Sequence, residues 1–191
     1  SVWWHIVFLI NIFFTTIMLF KVPYLKKNMR YLYDREAEQA QDFLNIAVNY
    51  ALESKCLRSK CASIISNRGE IIGKGFNSPP QNICLENCVK DNLPVDFPSD
   101  RTCCIHAEQR AINDALRRNA GKISGSRLYF IRLDETGKIK KAGKPYCTIC
   151  SKSILDVNIA EVVLWYNEGI TVYNANEYNE LSFQFKGENL L

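Results

Sequence analysis

Residues 127–165 read RLYFIRLDETGKIKKAGKPYCTICSKSILDVNIAEVVLW, and the fold turns on how this stretch alternates. Its opening RLYFIRL (127–133) is a short apolar run with the look of a strand. A turn-rich segment follows from Asp134 to Lys144, then a helix from about Thr148 to Val157 and a second strand at 160–165. Strand, helix, strand predicts an α/β sheet with helices on its faces.

Working outward toward the N-terminus, a helix is expected from about His106 to Asn119, stopped by Gly121. CASIIS (61–66) and EIIGKGF (70–76), separated by Asn67-Arg68-Gly69, read as a β-hairpin. From Asp34 to about Ser54, Ala37, Ala40, Phe43, Leu44, Ala47, Val48 and Ala51 recur at three- and four-residue steps, the mark of an amphipathic helix. Between hairpin and central helix, residues 77–104 form a long Cys-rich loop punctuated by Pro79, Pro80, Pro94 and Pro98; loops of that length are usually functional or metal-stapled. The tail after Gly169, aromatic and polar, receives no assignment.

The 191 residues make one compact domain, large enough to fold without disulfides, plus a short appendage. Residues 1–20 carry no charge, and Lys21, Lys26, Lys27 and Arg30 follow without an acid. Those four account for the net charge of +4, so the rest of the chain is balanced. A protein that tracks long nucleic acid through many phosphates carries a basic excess, and this domain lacks one.

Val2 to Phe20 is a nineteen-residue apolar run (VWWHIVFLINIFFTTIMLF), and at about 1.5 Å per residue it spans a bilayer core of roughly 30 Å. Trp3 and Trp4 at one end, and Tyr24 with the lysines at the other, suit the two interfaces. The reading is a single transmembrane helix at 1–20, a basic juxtamembrane linker at 21–33, and the main domain at 34–191 held in the cytoplasm by the flanking positive charge. A buried hydrophobic helix, and a stretch foreign to a natural product that starts at Met29, are the competing readings.

Two polar elements open predicted helices: His106-Ala107-Glu108 and, later in the chain, Cys147-Thr148-Ile149-Cys150. Each is weak alone; together at two helix starts they are a strong signal. Cysteines three apart in a first turn present both sulfurs on one face, where free amides and the helix dipole favour thiolates. Cys147, Cys150 and His106 make three zinc ligands and leave a fourth position open, the pattern of a catalytic site. Two thiolates neutralise Zn²⁺, so its water is acidified less than in an all-histidine site and needs a base nearby. Glu108 fits that task, moving protons between water, ring nitrogen and departing ammonia. A redox Cys-x-x-Cys beside an unrelated His-x-Glu is the competing reading.

This constellation resembles the zinc-dependent cytidine/deoxycytidylate deaminase superfamily. The deoxycytidylate branch is the nearer likeness, through Ser54-Lys55-Cys56, CASIISNRGEIIGKGFNSPP (61–80), Cys84, Cys88 and CCIHAEQRAI (103–112). The resemblance implies a three-layer α/β/α sandwich with a five-stranded mixed sheet, here preceded by the hydrophobic helix. It implies zinc on His106, Cys147 and Cys150, Glu108 as proton shuttle, and Asn77 against the sugar. It also implies hydrolytic deamination of a cytosine nucleotide, dCMP to dUMP with release of ammonia, in a closed homo-oligomer. Members of that branch often hold a second, structural zinc, for which Cys56, Cys84 and Cys88 with either Cys103 or Cys104 are the candidates; buried free thiols are the alternative. The sequence departs from the family where Tyr146 separates Pro145 from the first cysteine. A polynucleotide base deaminase and a catalytically silent nucleotide sensor are the rival functions; charge balance argues against the first and Glu108 against the second.

Overall fold

The structure, a computed structural model, describes residues 29–94 and 103–185. The expected anchor at 2–20 and residues 21–28 of the linker at 21–33 lie outside these residues. Among the described residues no helix is long and apolar enough to cross a membrane.

The elements in chain order are β1 (Arg30–Tyr31), α1 (Asp34–Leu52), β2 (Lys60–Asn67), β3 (Glu70–Phe76), α2 (Ala107–Asn119), β4 (Arg127–Leu133), β5 (Ile139–Lys140), α3 (Thr148–Asp156), β6 (Glu161–Tyr166), β7 (Gly169–Asn174) and α4 (Ala175–Gln184). The sheet runs β1-β7-β6-β4-β2-β3, with β5 added on β4. Only β4 and β6 pair in parallel, as the helical crossover between them requires; the other pairs are antiparallel. The sheet is mixed as expected, but has seven strands among the described residues rather than five. Five are six to eight residues long, and β1 and β5 add two residues each. The unassigned tail supplies β7 and α4, which starts under the Asn174 side chain accepting from the Asn176 N–H at 2.9 Å.

Alternation along the strands fills two cores. Helix α1 buries Ala40, Phe43, Leu44, Ala47 and Ala51 against Ala62, Ile64, Tyr129, Ile131 and Leu133 on one face. The other face sends Ile65, Ile72, Leu128 and Val162 against Ala111 and Ala115 of α2, Ile154 of α3 and Tyr178 of α4. Three layers result, with the candidate ligands all on the three-helix side.

The hairpin closes through Arg68 and Gly69, both at positive φ (50° and 83°), the two-residue turn whose twist matches the sheet. Beyond it, Gly73 and Gly75 let α2 lie almost on the backbone of β3. A Cβ at Gly73 would meet the Ala111 carbonyl at 2.5 Å, and one at Gly75 would meet the Ala107 carbonyl at 2.6 Å. That contact fixes where α2 begins.

At the other end of the sheet, Arg30 donates to Glu36 at 2.7 and 2.8 Å, and Arg127 reaches Glu36 at 3.0 Å and Glu161 at 2.5 Å. The hydrogen bonds from Arg30, reinforced by Arg127, outweigh burial and hold the Glu36 carboxyl down at about 2. A depressed carboxylate stabilises the fold above its unfolded pKa and ceases to do so as pH falls through the folded value.

Two outcomes follow for stability. Gly75→Ala lowers the unfolding free energy by about 3 kcal/mol through overpacking, whereas Gly121→Ala, with nothing within 4 Å of its Cβ, leaves the denaturant midpoint nearly unchanged. Glu36→Gln lowers the melting temperature at pH 7, and the gap between it and the parent narrows as pH is taken from 5 toward 2.

Candidate active site

The site is assembled at the end of β3. After Phe76 the chain continues as Asn77 and Ser78, and Ser78 bridges to Ile105 through backbone hydrogen bonds of 3.3 and 2.9 Å. The bridge delivers His106 to the N-cap of α2, where its backbone N–H donates to Gln109 Oε1 at 3.2 Å. Cys147 is the N-cap of α3, and Cys150 lies one turn in, fully buried.

The two helix starts meet. His106 Nδ1 is 3.2 Å from Cys150 Sγ and 3.4 Å from Cys147 Sγ. All three ligand atoms lie within 4.8 Å of one another, and among the described residues no other His, Cys, Asp or Glu trio does so. The edges of a tetrahedron around zinc, with bonds of roughly 2.0–2.3 Å, are roughly 3.5 Å. The donor set therefore fits Zn²⁺ in spacing and in softness.

Electrostatics favours the same occupant. A hydrogen bond from Cys150, aided by one from His106, draws the Cys147 thiol down to about 4, so this sulfur is a thiolate at neutral pH. The hydrogen bond it gives Cys147, with burial adding, pushes Cys150 up, and His106 is raised chiefly by its hydrogen bond to Cys147. Glu108, one residue inside α2, is only 6% exposed. Burial raises its carboxyl, with the Cys147 charge adding to the effect, while the Cys150 thiol lies in hydrogen-bond contact.

Asn77 is 7% exposed and its side chain is largely used inside the protein. Its carbonyl accepts from Ser54 Oγ at 2.9 Å and from the Cys61 N–H at 2.7 Å, and its amide donates to the Ser59 carbonyl at 2.8 Å. One amide hydrogen is left over. The five loop cysteines are only partly brought together. Cys103 Sγ stands 3.9 Å from both Cys88 Sγ and Cys104 Sγ, and Cys56 touches Cys104. Cys84 is exposed. These contacts form a string, and no three of the sulfurs share one centre within 4.8 Å.

Several neighbours received no role at the site in the sequence reading. Cys61, second in β2, lies close enough to Glu108 that burial and the Glu108 charge push its thiol up to about 12. Arg110 Nη2 donates to the Pro79 carbonyl at 2.8 Å and pins the start of the loop. Exposed Tyr146 packs against Phe185 with ring centroids 5.7 Å apart. Cys61 and Arg110 lie inside the blocks quoted above and Tyr146 directly precedes Cys147, but which groups they touch is set by the fold and not by their spacing in the sequence.

A histidine, two cysteines and a buried glutamate at two helix starts define a zinc hydrolase site. Residues 37–166 match the family model described as the cytidine and deoxycytidylate deaminase zinc-binding region, and the chain belongs to that family. It is thus a hydrolytic deaminase with a catalytic Zn²⁺, acting on cytosine at the level of the family. Among solved structures, the chain is similar to dCMP deaminase from the cyanophage S-TIM5, in complex with dCMP and dUMP (22% identity, 70% of this chain and 83% of that one, TM-score 0.49). It is also similar to cytidine deaminase from Burkholderia pseudomallei (16% identity, 72% of this chain and 94% of that one, TM-score 0.48). No curated protein matches it in sequence.

The geometry predicts which thiols retain the metal. Cys147→Ser and Cys150→Ser lose zinc to a competing chelator under conditions where the parent and Cys84→Ser keep it, measured as zinc per chain by elemental analysis.

Proposed function

We propose that the chain deaminates a free cytosine nucleotide, dCMP to dUMP, with His106, Cys147 and Cys150 as zinc ligands and Glu108 as the proton shuttle. The observation that carries the reading is the convergence of three donor atoms within 4.8 Å beside a buried carboxylate. The balanced charge of residues 31–191 supports a small substrate over a long polymer, and the blocks shared with the deoxycytidylate branch support dCMP.

Zinc, when bound, supplies Lewis acidity toward the attacking water. The remaining chemistry belongs to the chain. Glu108, ionised, accepts one proton from water as its oxygen bonds to C4 of the ring, and passes that proton to ring N3. It then carries the proton of the new C4 hydroxyl to the amino nitrogen, which leaves as ammonia while the C4 carbonyl forms. Burial suits Glu108 to the task, because a carboxylate whose pKa is raised is a stronger base toward water than a free one. A hydrogen bond from its own backbone N–H and contact with Cys150 hold it beside the ligand trio. The amide hydrogen that Asn77 keeps is the group offered to the sugar, and Tyr146 with Phe185 forms an aromatic wall. The relation of the segment at 2–20 to a membrane, the assembly of chains into a homo-oligomer and a second zinc among the loop cysteines stand as separate expectations; zinc per chain, one against two, decides the last.

Glu108→Gln reduces kcat for dCMP by roughly 10²–10⁴-fold while zinc content stays at the parental level. The parent's kcat/KM falls on the acid side through an apparent pKa above the 4.5 of an ordinary glutamate, because the ionised carboxylate is the active form and burial raises it. Ammonia release from dCMP, with none from single-stranded oligonucleotides, is the expected substrate pattern; the reverse pattern contradicts the reading.

A further inference from the structure

Arg132 and Lys140 stand directly opposite each other on the antiparallel pair β4 and β5. Like charges in that relation repel and weaken a sheet. Both side chains are exposed, and among the described residues neither enters an ion pair, unlike Arg30 and Arg127 of the same sheet. Two bare cations side by side are unexplained by the stability of the fold.

Their position gives them a use. Leu128 and Phe130 pack into the core under α2, α3 and α4, so by alternation Arg132 projects from that same face. Ile139 packs into the opposite core under α1, which puts Lys140 on the face of Arg132. On the other side, Arg132 is paired in register with Cys61, the thiol that feels both the Glu108 charge and the Arg132 charge. Cys61, Arg132 and Lys140 thus form a row across three strands, leading outward from Glu108 for two strand spacings, roughly 10 Å. The next lysine, Lys141, is otherwise engaged, its Nζ 3.2 Å from the centroid of the Trp165 ring.

We infer that Arg132 and Lys140 bind the 5′-phosphate of the substrate and select nucleotide over nucleoside, an inference that rests on the free-nucleotide reading above. A phosphate dianion neutralises both cations and removes their repulsion. The guanidinium fork takes two phosphate oxygens, and the ammonium adds a third contact from the neighbouring strand. The base lies at the metal end of the row and the phosphate at its outer end, with the sugar spanning the gap. Electroneutrality of the whole domain is compatible with this, since one local pair suffices for one phosphate.

The experiment is calorimetric binding of dUMP and of deoxyuridine, neither of which is turned over, to zinc-loaded parent, Arg132→Ala, Lys140→Ala, Arg132→Lys and the Arg132→Ala/Lys140→Ala pair. The parent prefers dUMP, and each alanine lowers the ratio of dUMP to deoxyuridine affinity by roughly 10–100-fold. Arg132→Lys recovers part of the loss, inorganic phosphate competes with dUMP in the parent only, and Lys140→Ala melts no lower than the parent because the cross-strand repulsion is gone. A parent that prefers dUMP and variants that keep the full preference overturn the inference and leave the nucleotide reading intact. A parent that binds the two equally overturns both. Affinity that climbs with the length of a deoxycytidine oligomer, and is lost in the variants, assigns the pair to a polynucleotide backbone and also overturns both.

Discussion

Helix α2 lies against β3 at a separation that no side chain at positions 73 or 75 would permit, and the functional geometry depends on that contact. It places the first turn of α2 over the end of β3, where the Ser78–Ile105 bridge fixes His106 as the N-cap. The crossover from β4 to β6 then brings α3 alongside, with Cys147 at its own N-cap. Two helix starts therefore meet end to side, and their unsatisfied amides and dipoles gather where a cation and thiolates are to be accommodated.

The cost of this arrangement is a concentration of buried, titratable groups. Cys147, Cys150 and Glu108 are all nearly or fully buried and push on one another's protonation. An apolar site of this size would be more stable without them, and a divalent ion is what reconciles their charges. The same logic applies at the outer rim. Among the described residues Arg132 and Lys140 are held together by strand register rather than by an ion-pair partner, and an anionic ligand completes them as the metal completes the inner trio.

Much of this was legible before any coordinates. The strands at 70–76 and 127–133 are apolar runs bounded by glycine, serine, asparagine or aspartate, and their limits coincide with β3 and β4. The site trio was legible because both elements begin helices, and ligand spacing at a helix start has few geometric solutions. The tail was not, because GITVYN is short and ends in asparagine, and ANEYNELSFQ is too polar on every side to advertise a buried stripe. Strand β5 was read as part of a turn: Ile139 and Lys140 have no strand character of their own and are extended only because β4 offers an edge. Arg132 was hidden for the same reason. A charge inside a strand reads as a solvent-facing position, and only the register shows that it stands between Cys61 and Lys140. The sugar role expected of Asn77 is narrowed by partners that spacing cannot reveal, since Ser54, Ser59 and Cys61 take most of its capacity.

The central claim is that one imidazole and two thiolates, drawn from two helix starts, hold a single ion. Cadmium-113 NMR of the protein with cadmium in place of zinc reads that donor set site by site. The account predicts a resonance in the range of two-thiolate centres that disappears in Cys150→Ser and shifts in His106→Ala. A spectrum holding only four-thiolate resonances, unchanged by either substitution, would contradict it.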